Sequence, residues 1–420
     1  MPMTVDFKKR LYPGLPDIAR HFGTPFHIYD ETGIRKTAST VKEAFAGFAG
    51  FKEFFAVKAL PNPAILSIFF DEGFGFDCSS VPELILVRKT GAIKEDILFT
   101  SNNTSADEFK EAFGHGGSLI NIDDISLIQK LPGIPDPVSF RYNPGPLRTG
   151  NAIIGNPVEA KYGVSHDQIV DAYKKMLDLG SRRFGLHTML ASNELDHSYL
   201  IETARMLLDL AGRLSEKLSI RFEFINIGGG MGIPYHPGDK ALDLSAMVDG
   251  IRAAFLKFYD KQGYEPNLFM ESGRYMTGPH GVLVTRVINR KETYRNYVGV
   301  DASMSALMRP GIYGAYHHID IYGKSVSDVP AETVDVVGAL CENIDKFAIQ
   351  RNLPKVQIND LLIIHDTGAH GHAMGFNYNG RLRPKELMLK KDGTVELIRR
   401  EETVEDYFAT LNFEKDVFKP

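Results

Sequence analysis

Cysteine is scarce in this chain of 420 residues, which has only Cys78 and Cys341, far apart in the sequence. Two distant cysteines do not form a disulfide framework, and they fit a reducing cytoplasm. The opening residues lack the apolar core of a secretory signal, and no apolar run approaches membrane-spanning length. Solenoid repeats and low-complexity tracts are also missing. The sequence therefore predicts a cytoplasmic protein that does not enter a membrane.

An excess of positive charge is the second absence. The chain has 48 Lys and Arg against 53 Asp and Glu, a formal net charge of -5. Such a balance offers no basic surface, so we expect no nucleic-acid partner. With 43% hydrophobic and 24% charged residues, the composition is that of a globular protein. The length exceeds that of a usual single core and favours two domains.

Short apolar runs alternate with amphipathic segments through the first two thirds of the chain. The predicted strands are Glu53–Lys58, Phe74–Cys78, Asp96–Thr100, Ser118–Ile122, Val138–Asn143, Arg183–Thr188, Phe222–Gly228 and Leu268–Ser272. Predicted helices between them include Pro82–Lys89, Ser105–Phe113, His166–Leu179, Asp196–Leu218 and Asp243–Gln262. Alternation of this kind indicates a parallel sheet. Eight units in roughly 220 residues favour a closed (β/α)8 barrel, with a doubly wound open sheet as the alternative.

After Gly273 the pattern changes to β-rich segments with few helical stretches. Strands that follow a strand–helix array indicate a second, all-β domain. The segment PFHIYDE near the start also has the pattern of a strand, and we expect it to join that domain. The predicted organisation is an α/β barrel domain over residues 30–273 and a β domain formed by residues 1–29 and 274–420.

Lys58 ends the first predicted barrel strand. The active sites of such barrels gather at the C-terminal ends of the strands. A lysine there can be desolvated, which lowers its pKa and frees an amine for Schiff-base chemistry. Most lysines are solvated instead, and position alone favours that interpretation.

The segment INIGGGMG, Ile225–Gly232, follows the seventh predicted strand. Its glycines leave backbone N–H groups free to surround an anion, most often phosphate. A tight turn is the alternative, although a turn rarely needs three consecutive glycines. The late loops of a barrel often bind phosphate, so the sequence favours a phosphate site. The context of a dinucleotide fingerprint is absent.

MESGR places Glu271 at the end of the eighth predicted strand, three residues before Arg274. A carboxylate there can hold a heterocyclic nitrogen protonated, which a pyridoxal ring needs to accept electrons. A local ion pair is the alternative.

LCENID sets the thiol of Cys341 beside the carboxylate of Glu342, which alone is weak evidence because a buried cysteine is usually a small hydrophobe. The histidines of HDTGAHGHAMG have no cysteine or carboxylate at ligand spacing, and we expect no metal.

In this order the motifs resemble those of the diaminopimelate decarboxylases, members of the barrel-type pyridoxal-phosphate decarboxylases that include the ornithine and arginine enzymes. The resemblance runs from PFHIYD near Pro25 to RREETVEDY, which ends at Tyr407. It implies pyridoxal 5'-phosphate as cofactor and decarboxylation of an amino acid.

The resemblance also implies roles for single residues. AVKA implies that Lys58 carries the cofactor, and GGGMG implies that Gly228, Gly229 and Gly230 hold its phosphate. ESGR implies that Glu271 contacts the pyridine nitrogen, with Gly273 and Arg274 beside the bound ligand. The remaining implied residues are substrate-reading Arg309 and Tyr313 in MRPGIY, Cys341 and Glu342 in CEN, and Tyr378 in GFNYN. In the family the cysteine comes from the partner subunit and donates a proton, which implies a homodimer with shared active sites.

HTMLAS departs from the family, which usually has His-x-His-x-Gly-Ser after the sixth barrel strand. His187 matches the first histidine, and Ser192 matches the serine that contacts phosphate. Met189 replaces the histidine that stacks on the cofactor ring. Since methionine packs on rings through a polarizable sulfur but carries no charge, we expect Met189 to be the ring contact.

Arg309 directs the substrate prediction to meso-diaminopimelate, converted to L-lysine and carbon dioxide in lysine biosynthesis. A guanidinium binds a carboxylate through two hydrogen bonds, and Glu342 can take the distal amine. Without that carboxylate Arg309 would lie buried without a partner, at about 1–3 kcal/mol. The alternatives are carboxynorspermidine or a D-amino acid as substrate, and an inactive regulatory homologue. Two further alternatives share the barrel. An alanine racemase would lack the pair Cys341 and Glu342, and a sugar-phosphate enzyme would not need Lys58.

Overall fold

The computed structural model describes residues 3–151, 153–325 and 329–413. Two compact units divide the chain. One comprises Thr32–Pro234 and Gly238–Gly278, and the other comprises Met1–Glu31, Tyr235–Pro237 and Pro279–Pro420. The chain opens in the second unit with helices α1 (Val5–Leu11) and α2 (Leu15–Phe22) and strand β1 (Phe26–Asp30).

A closed barrel of eight parallel strands forms the first unit. The strands follow chain order around it: β2 Lys52–Ala56, β3 Gly75–Cys78, β4 Lys94–Phe99, β5 Ser118–Ile122, β6 Val138–Arg141, β7 Phe184–His187, β8 Phe222–Asn226 and β9 Asn267–Met270. Pairing of β2 with β9 closes the barrel. The predicted (β/α)8 barrel is confirmed, and the open-sheet alternative is wrong. Several strands end one or two residues earlier than predicted, because the last predicted residues belong to the loops at the barrel mouth.

Helices lie before the first barrel strand, between the strands and after the last one. They are α3 Glu31–Ala44, α4 Pro63–Asp71, α5 Val81–Arg88, α6 Ala106–Phe113, α7 Ile169–Leu179, α8 His197–Leu218, α9 Leu244–Gln262 and α10 Arg274–Thr277. Side chains at their N-termini stabilise several of them. In α6, Ser105 and Glu108 form a reciprocal capping box, which satisfies two backbone N–H groups that the helix leaves unpaired.

The barrel interior is apolar in one layer and polar near the carboxyl ends of the strands. Five buried side chains fill the apolar layer: Phe54, Leu98, Leu119, Phe224 and Phe269. Gly185 admits the ring of Phe224, because a Cβ on Gly185 would lie 2.0 Å from that ring. Polar groups therefore collect beyond the packed layer, at the end where barrel enzymes carry their sites.

A nine-stranded sheet dominates the second unit. Its further strands are β10 Gly281–Glu292, β11 Asn296–Val300, β12 Ile319–Ile321, β13 Ala331–Val337, β14 Lys346–Pro354, β15 Leu361–Ile364, β16 Lys385–Leu389 and β17 Val395–Arg399. Most neighbours are antiparallel, while β1 pairs with β16 in parallel. The short helices α11 (Arg309–Tyr313) and α12 (Val404–Phe408) complete the unit.

The predicted all-β second domain is confirmed as a mostly antiparallel sheet, and the PFHIYDE strand joins it as β1. None of the helices in the described ranges combines the length and hydrophobicity of a membrane crossing.

Candidate active site

The carboxyl ends of β2 and β3 bring Lys58 to Asp77. Lys58 lies in a 3-10 turn just after β2, and its Nζ is 2.9 Å from Oδ2 of Asp77, which is buried. Desolvation lowers the pKa of Lys58, but the Asp77 and Glu271 carboxylates outweigh it, so that the pKa is raised. The lowering that desolvation alone would give is therefore wrong in direction for Lys58. Asp77 holds the lysine as an ammonium group.

Glu271 follows β9 and is buried among polar partners. Its Oε1 accepts a hydrogen bond from Nδ2 of Asn226 at 2.8 Å and lies 3.1 Å from Nε2 of His187. Burial raises the pKa of Glu271, but His187, Lys58 and Asn226 outweigh it, so that this pKa is lowered. Glu271 is consequently an ionised carboxylate inside the barrel mouth.

The glycine run after β8 is a backbone surface that only glycine can form. Gly228 and Gly230 have φ values of +72° and +111°, in the left-handed region. A Cβ on Gly229 would lie 2.3 Å from the carbonyl oxygen of Glu271, and one on Gly228 would lie 2.4 Å from that of Thr188. The missing side chains leave space for an anion beside this backbone, where the N–H of Gly228 donates to Oδ1 of Asn226 at 2.9 Å.

Met189, Ser192 and Arg274 surround the glycine run. The backbone N–H of Gly229 donates to Sδ of Met189 at 3.2 Å. Nη2 of Arg274 lies 3.5 Å from Oγ of Ser192, at the limit of a hydrogen bond. These contacts bring a thioether, a hydroxyl and a guanidinium to one end of the barrel.

Gly273 lets the turn before Arg274 approach the lysine segment. A Cβ on Gly273 would lie 2.7 Å from the Cβ of Ala59, next to Lys58 in the chain. The barrel unit thus brings together ten residues predicted from the sequence: Lys58, His187, Met189, Ser192, Gly228, Gly229, Gly230, Glu271, Gly273 and Arg274.

Sequence reasoning missed four further polar side chains at this end of the barrel. Besides Asp77 and Asn226, they are Asn121, 2.9 Å from His187, and Arg141. The Arg141 guanidinium lies 3.8 Å from the centre of the Tyr162 ring, and burial lowers its pKa. All four lie in the last residues of their strands, and a search for polar residues in that position would have found them.

The other five predicted residues belong to the second unit. Arg309 is buried, with Nη1 2.8 Å from Nε2 of His317 and its guanidinium 4.7 Å from the Tyr235 ring centre. It therefore has protein partners, contrary to the expectation that only a substrate would supply one. Of the others, Cys341, Tyr313 and Tyr378 are exposed, and Glu342 follows Cys341. Within the described ranges, no three His, Cys, Asp or Glu side chains are placed to hold a metal ion.

Residues 31–278 match the family described as pyridoxal-dependent decarboxylase, pyridoxal binding domain. This chain belongs to that family. It is 48% identical to the Protein TabA of Pseudomonas amygdali pv. tabaci, over 100% of this chain and 99% of that protein. It is 36% identical to the diaminopimelate decarboxylase of Methanothermobacter thermautotrophicus, over 94% of this chain and 93% of that one. The structure is similar to the solved diaminopimelate decarboxylase of M. jannaschii in complex with L-lysine, with a TM-score of 0.88 and 32% sequence identity. The match covers 95% of this chain and 94% of that one.

The protein is thus a pyridoxal-phosphate-dependent amino-acid decarboxylase, as the resemblance implied. The barrel residues fit the cofactor. An amine, an ionised carboxylate and a glycine-only backbone surface lie at one end of the barrel. Within the described ranges, Oδ1 of Asp77 is buried without a hydrogen-bond partner. Buried polar atoms in this condition are typical of a site that a ligand completes.

We expect Gly229→Ala to weaken cofactor binding about 10–100-fold, because its Cβ would press on the carbonyl of Glu271 and displace the loop. Titration of apoenzyme with pyridoxal phosphate, followed by absorbance, measures this. Gly238→Ala is the matched control, since no atom lies within 4 Å of its added Cβ. Equal affinities of the two variants would show that the loop does not bind the cofactor.

Proposed function

We propose that this enzyme decarboxylates meso-diaminopimelate to L-lysine and carbon dioxide. The observation that carries the proposal is its alignment with diaminopimelate decarboxylases. Seven of them, from archaea and bacteria, match 93–96% of this chain at 31–36% identity.

The barrel residues divide the work of holding the cofactor. Bound pyridoxal phosphate supplies an aldehyde that takes up amines and a ring that accepts electrons. Lys58 provides the amine that carries it, and Asp77 orients that amine. The backbone of the glycine run, with Ser192 and Arg274, would hold its phosphate. Met189 would pack against its ring.

Glu271 performs the electrostatic part of the reaction. Its lowered pKa keeps it ionised, so it would hold a proton at the ring nitrogen, and the positive ring could then take up the electrons left when carbon dioxide departs. The hydrogen bond from Asn226 to Oε1 of Glu271 holds the carboxylate in one position, so the carboxylate does not have to move during the reaction.

The resemblance assigns the substrate end to residues of the second unit. Arg309 binds the distal carboxylate, Glu342 the distal amine, and Tyr313 and Tyr378 line the same end. Arg309 is buried, and a guanidinium at a buried site can bind a carboxylate through two parallel hydrogen bonds. Cys341 of one subunit protonates the α-carbon at the site of the other, in a homodimer. The cytoplasmic location stays a prediction.

Carbon dioxide release from a panel of amino acids tests the proposed substrate. We expect the purified, cofactor-loaded enzyme to release carbon dioxide from meso-diaminopimelate well above D-lysine, L-ornithine and carboxynorspermidine. Release from another member of the panel would refute the substrate and leave the cofactor chemistry standing. An absent cofactor band at saturating pyridoxal phosphate would refute catalysis and favour a regulatory homologue.

Arg309→Ala should selectively impair the use of meso-diaminopimelate. We expect kcat/KM for it to fall about 10–100-fold, since a buried charge-assisted pair contributes about 1.5–3 kcal/mol. D-lysine has no distal carboxylate, so its kcat/KM should change less than about threefold. Arg309→Lys is the control that keeps the charge without the bidentate geometry, and it should fall in between. Equal losses for both substrates would show that Arg309 supports the fold through His317 and Tyr235 instead.

A related amino acid with a different distal group is the second candidate substrate. The whole-chain identity of 48% to Protein TabA exceeds the identities to the diaminopimelate enzymes. Met189 also stands where the resemblance expects a histidine. The same panel separates the two candidates.

A further inference from the structure

A line of buried polar side chains crosses the barrel interior beside the cofactor residues. Oγ of Ser139 donates to Oδ1 of Asn121 at 2.9 Å, and Nδ2 of Asn121 lies 2.9 Å from Nδ1 of His187. Nε2 of His187 then lies 3.1 Å from Oε1 of Glu271, which also accepts from Asn226. All five side chains are at most 6% exposed, so water does not interrupt the line.

Strand register places these groups side by side. Asn121 of β5 pairs with Ser139 of β6, and His187 of β7 pairs with Asn226 of β8. Because alternate residues of a barrel strand face inward, neighbouring strands fix the spacing of these side chains without any loop. Sites held by strands are more rigid than sites held by loops.

The partners of His187 determine where its ring hydrogen lies. Oε1 of Glu271 accepts from Asn226 and faces Nε2 at 3.1 Å, so Nε2 must carry a hydrogen, or two lone pairs would face each other. The amide nitrogen of Asn121 only donates, so Nδ1 must present a lone pair. An imidazole with one hydrogen, on Nε2, satisfies both neighbours, whereas an imidazolium would set two donors against each other at Nδ1.

We infer that Asn121 is a positioning residue that holds His187 neutral and so preserves the negative charge of Glu271. A neutral imidazole donates to the carboxylate without cancelling its charge. An imidazolium would pair with Glu271 and remove much of the negative potential that the ring nitrogen needs to stay protonated. Asn121 thus acts on the cofactor through two other residues. This rests on the role proposed above for Glu271.

Asn121→Asp tests the inference, because a carboxylate at Nδ1 favours the imidazolium in nearly the same volume. In enzyme loaded with cofactor labelled with nitrogen-15 in its ring, we expect the pH midpoint for loss of the ring-nitrogen proton, followed by NMR, to fall by at least about one unit. Ser139→Ala is the matched control, since it removes a contact of Asn121 but does not touch His187; its midpoint should stay within about 0.3 unit of wild type. An unshifted midpoint in Asn121→Asp, or an equal shift in both variants, would overturn the inference.

Nitrogen-15 NMR of histidine-labelled wild-type enzyme provides a second measurement, should Asn121→Asp not fold. The His187 signals, assigned by their loss in His187→Gln, should show one protonated and one unprotonated ring nitrogen at pH 7. Two protonated nitrogens would overturn the inference. Failure of the proposed function would give a different result. The wild-type enzyme itself would then show no cofactor absorbance band or would release no carbon dioxide.

Discussion

Lys58→Ala should abolish decarboxylation, with kcat reduced on the order of 10⁴-fold or more, as for the loss of other covalent catalytic groups. Lys58 supplies the amine that carries the cofactor, and Asp77 holds that amine 2.9 Å away at the barrel mouth. Alanine leaves no amine to anchor the cofactor or to release the product. Carbon dioxide release at saturating substrate and pyridoxal phosphate measures the loss, and the absorbance of gel-filtered enzyme shows whether cofactor stays bound.

Lys52→Ala is the matched control for this experiment. Lys52 begins the same strand, and its Nζ forms a partly exposed ion pair with Asp96 at 2.9 Å. Pairs of this kind contribute about 0–1 kcal/mol, so we expect wild-type activity and a retained cofactor band. If Lys58→Ala kept a rate within tenfold of Lys52→Ala, Lys58 would not be the cofactor lysine.

The barrel was predictable because its strands are short apolar runs separated by helical periods. Ser118–Ile122 was predicted with the observed bounds, and other strands differed only at their ends. The glycine run was predictable for a similar reason, because three consecutive glycines after a buried strand have few structural explanations. Local patterns of this kind are present in the sequence itself.

Asp77 and Asn121 were missed because their roles depend on neighbouring strands. Each lies inside a run that has the pattern of a buried strand, and nothing local marks it as functional. The closed barrel brings Asp77 to a lysine 19 positions earlier and Asn121 to a histidine 66 positions later. The raised pKa of Lys58 follows from the first pairing, so its direction also lay beyond the sequence.

The partner of Arg309 shows the same limit in the second unit. From the sequence we expect a buried guanidinium whose partner is a substrate carboxylate. The fold places His317, eight positions later, against Nη1 and the face of Tyr235 beneath the guanidinium. A substrate carboxylate at Arg309 would therefore meet a guanidinium that already has protein partners, and a substrate without that carboxylate would not leave it unpaired.

Glu271→Gln should lower kcat about 10²–10³-fold while the cofactor stays bound. The amide keeps the shape of the carboxylate and can still accept from Asn226, but it has no charge to hold a proton at the ring nitrogen. Carbon dioxide release gives kcat, and nitrogen-15 NMR of ring-labelled cofactor reports the protonation of the ring nitrogen. An unchanged kcat would show that this decarboxylase does not use a protonated ring.

Glu53→Gln controls for the exchange of a buried carboxyl for an amide in the same barrel. Burial raises the pKa of Glu53 to about 8, so at pH 7 this group is mostly the neutral acid, and glutamine removes little charge. Its Oε1 accepts the backbone N–H of Ser272, which a glutamine oxygen can also accept. At pH 7 we therefore expect Glu53→Gln to keep kcat within about threefold of wild type. A loss as large as that of Glu271→Gln would attribute both effects to disturbed packing, because only Glu271 carries a charge to lose.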